Sequence, residues 1–502
     1  MDENIDICSK RKLNSMSIIK RHSIKYVFLM NFFLSASQFI FPLITFPYIS
    51  RVLLAEGIGK VSFSSSVANY FMIVASLGIP TYGIRACAQV RDDRRKLSKT
   101  VQEILILNAI TTALVTATYI FLIFTVSKFK ADKTLFLING LSILLNMFGM
   151  NWLFQALEQY EYITIRSLAF KIISVLAMFA FVRKESDYVF YGGITVFASV
   201  GSNILNVVRA KRYVNLKWMG DYHLRRHMKP IMILFAQSLA VSVYTNLDTV
   251  MLGFMKADVD VGYYNVAVKI KTILVSLVTS LGNVLLPRMA YYAKERNKEA
   301  FMNTMQKALN FTTLLSVPLA IYFCMYSSDS IRFLAGDGYA DAVLAMQIII
   351  IAIIPIGITS ILGVQVLTAI EKEKYVLLSV TIGALSDFAL NCVFISSMGA
   401  AGAALATTIS EFIVLIVQVI YTKQLLCDIS HELHFHTYIL LVIPSIAFAY
   451  MVKIFEFESS FIRLLISAII FFGIYGIELL LAKDSLVMNA FDSLKKKLKK
   501  NG

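Results

Sequence analysis

EILILNAITTALVTATYIFLIFTV, residues 103–126, decides the fold. One acid stands at its start, and no charge follows in the next twenty-three residues. At 1.5 Å per residue, a helix of this length covers the roughly 30 Å hydrocarbon core of a bilayer. Stretches of the same kind recur along the chain. The pattern predicts spans at 26–49, 61–79, 103–126, 134–156, 164–182, 188–208, 230–254, 262–285, 301–326, 340–369, 375–395, 400–421, 437–452 and 461–481. The fold class is therefore an all-α integral membrane protein with about fourteen transmembrane helices. A soluble helical protein hides one or two such segments, not a dozen. The bulk composition agrees: 57% of the 502 residues are apolar and 16% charged, against about 45–50% and 25% in soluble domains.

The net charge of +16 would suit a nucleic-acid binder, but its placement does not. With the N-terminus inside, and with Arg166 and Arg463 at the starts of their spans counted with the connections they adjoin, the inside connections hold 33 of the 48 Lys and Arg, the outside ones 11, and the rest of the spans four (Lys171, Lys269, Lys271 and Lys307). The bias alternates from loop to loop, as the positive-inside rule requires. Both termini are expected to be cytoplasmic, with the positive face toward the anionic inner leaflet. No nucleic acid is expected as a partner. The first apolar run is too long for a signal-peptide core and reads as a retained first span.

Five cysteines (Cys8, Cys87, Cys324, Cys392 and Cys427) show no paired spacing, so neither a disulfide framework nor a metal site is read. HELHFH (431–436) lacks the helical spacing of a zinc protease. No nucleophile elbow or phosphate-binding loop is present, and no external loop exceeds some thirteen residues, 327–339. A catalytic domain has no room, so no enzyme activity, cofactor or metal is expected.

Two connections resemble each other. SRVLLAEGIGKVSF (50–63) and TVMLGFMKADVDVGYYNV (249–266) each run apolar, then acidic, then reach a glycine, Gly59 or Gly262, opening the next helix. Each precedes a basic connection on the other side. The expected organisation is a cytoplasmic segment 1–25, a six-helix bundle 26–210, a cytoplasmic linker 211–229, a second six-helix bundle 230–425, two further helices within 437–481 and a basic tail 482–502. Parallel repeats of this kind are typical of secondary transporters.

Ionisable groups inside spans are the candidate site residues, since each costs roughly 2.5–3.5 kcal/mol at the bilayer centre and so faces a cavity or a partner. Lys269 and Lys271 lie in span 8, two apart and on different faces. Lys171 lies in span 5. Asp248 sits beside Asn246 in span 7, Asp387 and Asn391 share a face of span 11, and Glu411 is central in span 12. The lysines either bind an anionic head group or snorkel. The carboxylates either bind a coupling cation or pair with the lysines. Arg51 and Arg85 sit at span ends, where snorkelling is the default reading.

These residues fall within a wider pattern: FPYISRVL (46–53) with Gly57 and Gly59, LGIPTYGIR (77–85), NWLFQALEQYEYITIRS (151–167), NLDTVMLG (246–253), VGYYNVAVKI (261–270), LPRMA (286–290) and GAAGAALATT (399–408). In their order and their positions relative to the spans, they resemble the bacterial polysaccharide repeat-unit flippases of the MATE-like exporter superfamily. The resemblance implies two helical bundles in a V that open alternately to each side of the bacterial cytoplasmic membrane. It implies a substrate of undecaprenyl-pyrophosphate-linked oligosaccharide, with other polysaccharide assembly proteins as further partners. Arg51, Arg85, Trp152, Gln155, Glu158, Asp248 and Tyr264 fall in the matching motifs, which strengthens Arg51, Arg85 and Asp248. Span 8 carries lysines where related lipid II flippases carry arginines.

The expected substrate-binding set is Lys269, Lys271, Lys171, Arg51, Arg85, Asn151, Gln155, Asn246 and Asn391. Asp248, Asp387 and Glu411 are the ion-coupling set, with H+ or Na+ left open. The polar amides suit sugar hydroxyls, and the cations suit the pyrophosphate. A drug/cation antiporter on the same fold predicts an acidic cavity instead; a polymerase or glycosyltransferase predicts a long external loop. A purely structural partner of a synthase complex remains a further alternative.

Overall fold

The structure, a computed structural model, describes residues 24–488 apart from 281, 456 and 458. The expected segment 1–25 and the tail 482–502 fall largely outside the described residues. Among the described residues the regular elements are helices, with no strand. Twelve are long and apolar enough to cross a membrane. The first of these, Ile40–Ala88, takes in two expected spans. The expected seventh span is covered by the helix Arg225–Met255, whose apolar course is broken by Ser238, Ser242, Thr245, Asn246 and Asp248. A count of fourteen is thus compatible with the helices found.

The chain divides into two compact units. One takes the chain up to Leu53 and then Lys60–Asn246. The other takes Leu54–Gly59 and the chain from Leu247 onward. The long first helix breaks where the units change hands: Leu54 has φ 54° and ψ −176°, a region nearly confined to glycine that costs a leucine about 1–3 kcal/mol.

In the first unit the LGIPTYGIR and NWLFQ segments pack on each other. Trp152 lies flat under Gly83, where a Cβ would come within 2.7 Å of the indole. Leu153 and Phe154 are wholly buried beside it. The connection 211–229 is clamped to the helix Arg94–Thr125. Glu103, fully buried, accepts from the His223 backbone N–H at 2.8 Å and from the Arg226 guanidinium. It also meets His227 Nε2 at 2.8 Å, while His227 Nδ1 meets the Tyr82 hydroxyl at 2.6 Å. A buried carboxylate with this many partners fixes the segment that makes them.

In the second unit Gly59 and Gly262, the two glycines of the repeat, meet. A Cβ on Gly262 would lie 2.0 Å from the Ala55 carbonyl oxygen, and one on Gly59 1.7 Å from that of Asp258. Small residues let helix backbones touch, the usual device for helix packing in lipid. Gly399 turns the chain at φ 55° between the helices Glu373–Met398 and Ala400–Ile429. The last two helices, Phe435–Val452 and Ser460–Leu481, pack through Tyr438, Phe471 and Tyr475 around Tyr322 and Tyr326. Tyr326 donates to the Ala449 carbonyl at 2.6 Å and Tyr322 to that of Leu464 at 2.8 Å.

The crossing at Gly262 predicts a sharp contrast between glycines. Gly262→Val forces backbone apart and should cost more than the ~1–3 kcal/mol typical of overpacking, seen as a clear fall in the unfolding temperature of the detergent-solubilised protein. Gly473→Val, at a glycine with open space around it, should leave that temperature nearly unchanged.

Candidate functional site

The second unit gathers polar groups from four helices around one carboxylate. Asp248, from Arg225–Met255, is 5% exposed. Its Oδ2 accepts from the Tyr264 hydroxyl at 2.5 Å and from Thr407 Oγ1 at 2.8 Å. Its Oδ1 accepts from Asn391 Nδ2 at 2.6 Å. Tyr264 comes from Asp258–Thr279, Asn391 from Glu373–Met398 and Thr407 from Ala400–Ile429. The same Asn391 amide donates to Asp387 Oδ2 at 3.1 Å, so one NH2 group bridges two buried carboxylates. The spacing of four between Asp387 and Asn391 puts both on one helix face.

Asn391 Oδ1 finds no hydrogen-bond partner, and the Ser410 hydroxyl lies beside Asp387. Lys271 interacts with Asp387 through space but makes no ion pair with it within 4 Å. The cluster therefore brings two carboxylates together with fewer donors than they can accept. Adjacent buried carboxylates call for a compensating proton or cation, and oxygen donors suit a hard cation. Glu411 is buried one turn beyond Thr407.

The first unit holds the converse arrangement. Arg166, 7% exposed, starts the span Tyr160–Phe181 and donates through Nη2 to Asn151 Oδ1 at 2.8 Å. Its Nε and Nη1 have no partner, and neither does the buried Nε of Arg209. Both guanidinium groups lie over the Tyr162 ring, at 5.5 and 4.8 Å from its centre. The Tyr162 hydroxyl lies within the field of both arginines and next to the Arg166 guanidinium. Asn206 donates to Asn151 Oδ1 and to the Gly149 carbonyl. Neither arginine forms an ion pair with a described carboxylate, in contrast to Arg91, which binds Glu158 at 2.7 Å, and Arg463, which binds Asp329 at 3.1 Å. Arginine keeps its charge in proteins, so this is a buried cationic site rich in open donors.

The expected residues divide accordingly. Asp248, Asp387 and Asn391 come together. Asn151 serves the arginine site rather than standing alone. Lys171 is half-buried and donates to Ser37 Oγ at 2.7 Å. Lys269, Lys271, Gln155 and Asn246 are half-buried; Asn246 is turned to Thr245 and the Ser242 carbonyl. Arg51 and Arg85 are exposed, Arg51 bonded to the Pro47 carbonyl of its own helix and Arg85 over the Tyr82 ring. Thr407, Arg166 and Arg209 were not singled out from sequence. Arg166, at the start of its expected span, counts with the connection before it, and Arg209 stands one residue beyond its expected span.

A chain of many long apolar helices with polar clusters buried among them is a membrane transporter of the MATE-like fold, not an enzyme. The chain belongs to the polysaccharide biosynthesis protein family, whose model matches residues 28–293. A second model, MatE, matches 234–393. The "Putative O-antigen transporter" of Escherichia coli (strain K12) is 23% identical over 424 residues, 83% of this chain and 100% of that one. Among solved structures, the lipid II flippase MurJ in an inward closed conformation superposes with a TM-score of 0.73 at 15% identity, covering 91% of this chain and 100% of that one. An inward-facing MATE-family multidrug transporter gives 0.55 at 11%, covering 78% and 98%.

The bridging amide gives a direct stability test. Asn391→Leu keeps the approximate shape and removes the donor shared by Asp248 and Asp387. It should cost about 1–3 kcal/mol, the usual penalty for stranding buried acceptors, read as a lowered thermal midpoint in detergent. Gln155→Leu, at a half-buried residue outside the cluster, should cost well under that.

Proposed function

We propose that this chain is a flippase that moves polyprenyl-pyrophosphate-linked oligosaccharide from the inner to the outer leaflet of the bacterial cytoplasmic membrane, for surface polysaccharide assembly. The observation that carries the reading is Arg166: a buried, permanent cation with open donors, in a chain of the polysaccharide biosynthesis family. A pyrophosphate head carries about two negative charges, and charge and hydrated sugar cross bare hydrocarbon only at prohibitive cost. In the first unit Arg166, Arg209 and Lys171 are the cations that answer this charge, and in the second unit Lys269 is. Asn151, Gln155, Asn246 and Asn391 supply hydrogen bonds for sugar hydroxyls. The polyprenyl tail remains in lipid. Movement is by alternating access, the established behaviour of repeat-built transporters.

Coupling belongs to the Asp248–Asp387 cluster in this reading. A proton or Na+ entering there neutralises the carboxylate pair, and leaving on the other side returns it to the empty state. The relative described as an O-antigen transporter supports the substrate class, since an O-antigen unit is an oligosaccharide. The threefold excess of Lys and Arg on one set of loops supports cytoplasmic termini.

Drug/cation antiport is the second reading, favoured by the acidic cluster and by the MatE match over the same stretch. Complementation separates the two. In a bacterium lacking its own repeat-unit flippase, the wild-type chain should restore polymerised surface glycan. Arg166→Ala and Lys269→Ala, at equal membrane level, should each lower it about tenfold or more, the worth of a lost charge-assisted hydrogen bond. Full activity of both variants would remove the cation assignment. No rescue with any of several donor glycans, together with drug/cation exchange by the purified protein, would overturn the flippase reading.

A further inference from the structure

The first unit holds a second basic site, well separated in sequence from Arg166, that the transport reading does not use. It is a pocket of ≈ 770 Å³ at the N-terminal end of the helix Arg94–Thr125. Arg94, Arg95, Lys211 and Lys217 line it, over an apolar floor that includes Val214, Leu216 and Met219. No carboxylate is among the lining residues, and none of the four cations forms an ion pair with a described residue. Two of the nearby acids are engaged elsewhere. Asp93 caps its own helix, accepting from the Arg95 and Lys96 backbone N–H groups at 3.0 and 3.1 Å. The Lys96 N–H, foremost, holds that carboxyl below its ordinary range. Asp221 pairs with Lys99 at 3.2 Å.

The wall of the pocket is built, not draped. Asn215 donates its backbone N–H to the buried Ser98 hydroxyl at 2.8 Å. The Gln102 amide, 7% exposed, donates to the Asn215 and Lys217 carbonyls at 2.6 and 2.8 Å. Tyr222 closes the set, donating to Gln102 Oε1 and accepting from the Met219 N–H. Like charges held in fixed positions repel, and a fold bears that repulsion at a site where an anion resides. Beside the pocket, Trp218 is 78% exposed and stands against Tyr222. An exposed tryptophan on a basic loop next to a span is characteristic of the headgroup layer.

We infer that this pocket holds the phosphate headgroup of an anionic phospholipid from the leaflet at that end of the spans, with Trp218 seated in the same interface. Four cations answer the phosphate, the apolar floor answers the glycerol and first methylenes, and the ring of Trp218 fixes the depth. Clusters of basic residues at span ends attract anionic lipid in proportion to their charge; the held loop adds a shape. The site docks the 211–229 segment to lipid, independently of what the protein transports.

Native mass spectrometry of the purified full chain tests this, with phosphatidylglycerol or phosphatidylcholine added. The wild type should retain phosphatidylglycerol over phosphatidylcholine. R94Q/R95Q/K211Q/K217Q should lower that retention about tenfold or more. As a control, K294Q/R296Q/K372Q/K374Q removes four exposed cations from other basic loops and should leave it within about twofold. Equal loss in both variants would show only general attraction to basic loops and would overturn the site. Equal retention of the two lipids would do the same. Displacement of phosphatidylglycerol by millimolar inorganic phosphate would assign the pocket to a soluble phosphate and refute the lipid.

Discussion

A carboxylate buried among apolar helices has to be met by donors or by a cation, and Asp248 makes that demand of the whole second unit. Three donors from three other helices converge on it. Each fixes the rotation of the helix that carries it. Their combined placement then decides where Asp387 lies, because one amide serves both acids. Losing the register of any one helix would strand a charge, at a cost of several kcal/mol. The helices Asp258–Thr279 and Ala400–Ile429 can come close enough because glycines stand at the approaches: Gly262 against Ala55, and Gly402 against the Phe394 carbonyl.

The first unit solves the opposite problem. Its buried charges are guanidinium groups over a tyrosine ring, with amides in place of carboxylates around them. The first unit thus holds a buried guanidinium cluster and the second a buried carboxylate pair. That division fits the proposed handling of an anionic lipid head and a cation. Glu103, an acid buried in the first unit, has its charge spent on clamping the connecting segment through His223, Arg226 and His227.

Much of the fold was legible because lipid imposes a simple rule, long apolar helices with charge at their ends. Even the polar helix Arg225–Met255 was found by its spacing between loops. The pairing of Asp387 with Asn391 was legible from their separation of four. Thr407 was not, since a threonine in an apolar span is ordinary and only packing brings it to Asp248. Arg166 and Arg209 were missed because apolar runs mark the hydrocarbon core and not the helix ends. Arg166, third in its expected span, counts with the loop before it, and Arg209 stands one residue past its expected span; both guanidinium groups nevertheless pack on the Tyr162 ring. Arg51 and Arg85 show the reverse: motif residues at span ends that the structure leaves exposed. The repeat glycines Gly59 and Gly262 were read as helix starts. Their contact with each other's helices follows only from three-dimensional pairing.

The most direct test of the account is lipid translocation in vesicles containing the purified chain and a polyprenyl-pyrophosphate oligosaccharide, followed with a membrane-impermeant pyrophosphatase. The account predicts that substrate from the inner leaflet becomes accessible in vesicles with the wild-type protein and does not in vesicles with Arg166→Ala. Accessibility that stays at the outer-leaflet share in wild-type vesicles, with a correctly folded protein and a cation gradient of either H+ or Na+, would contradict it.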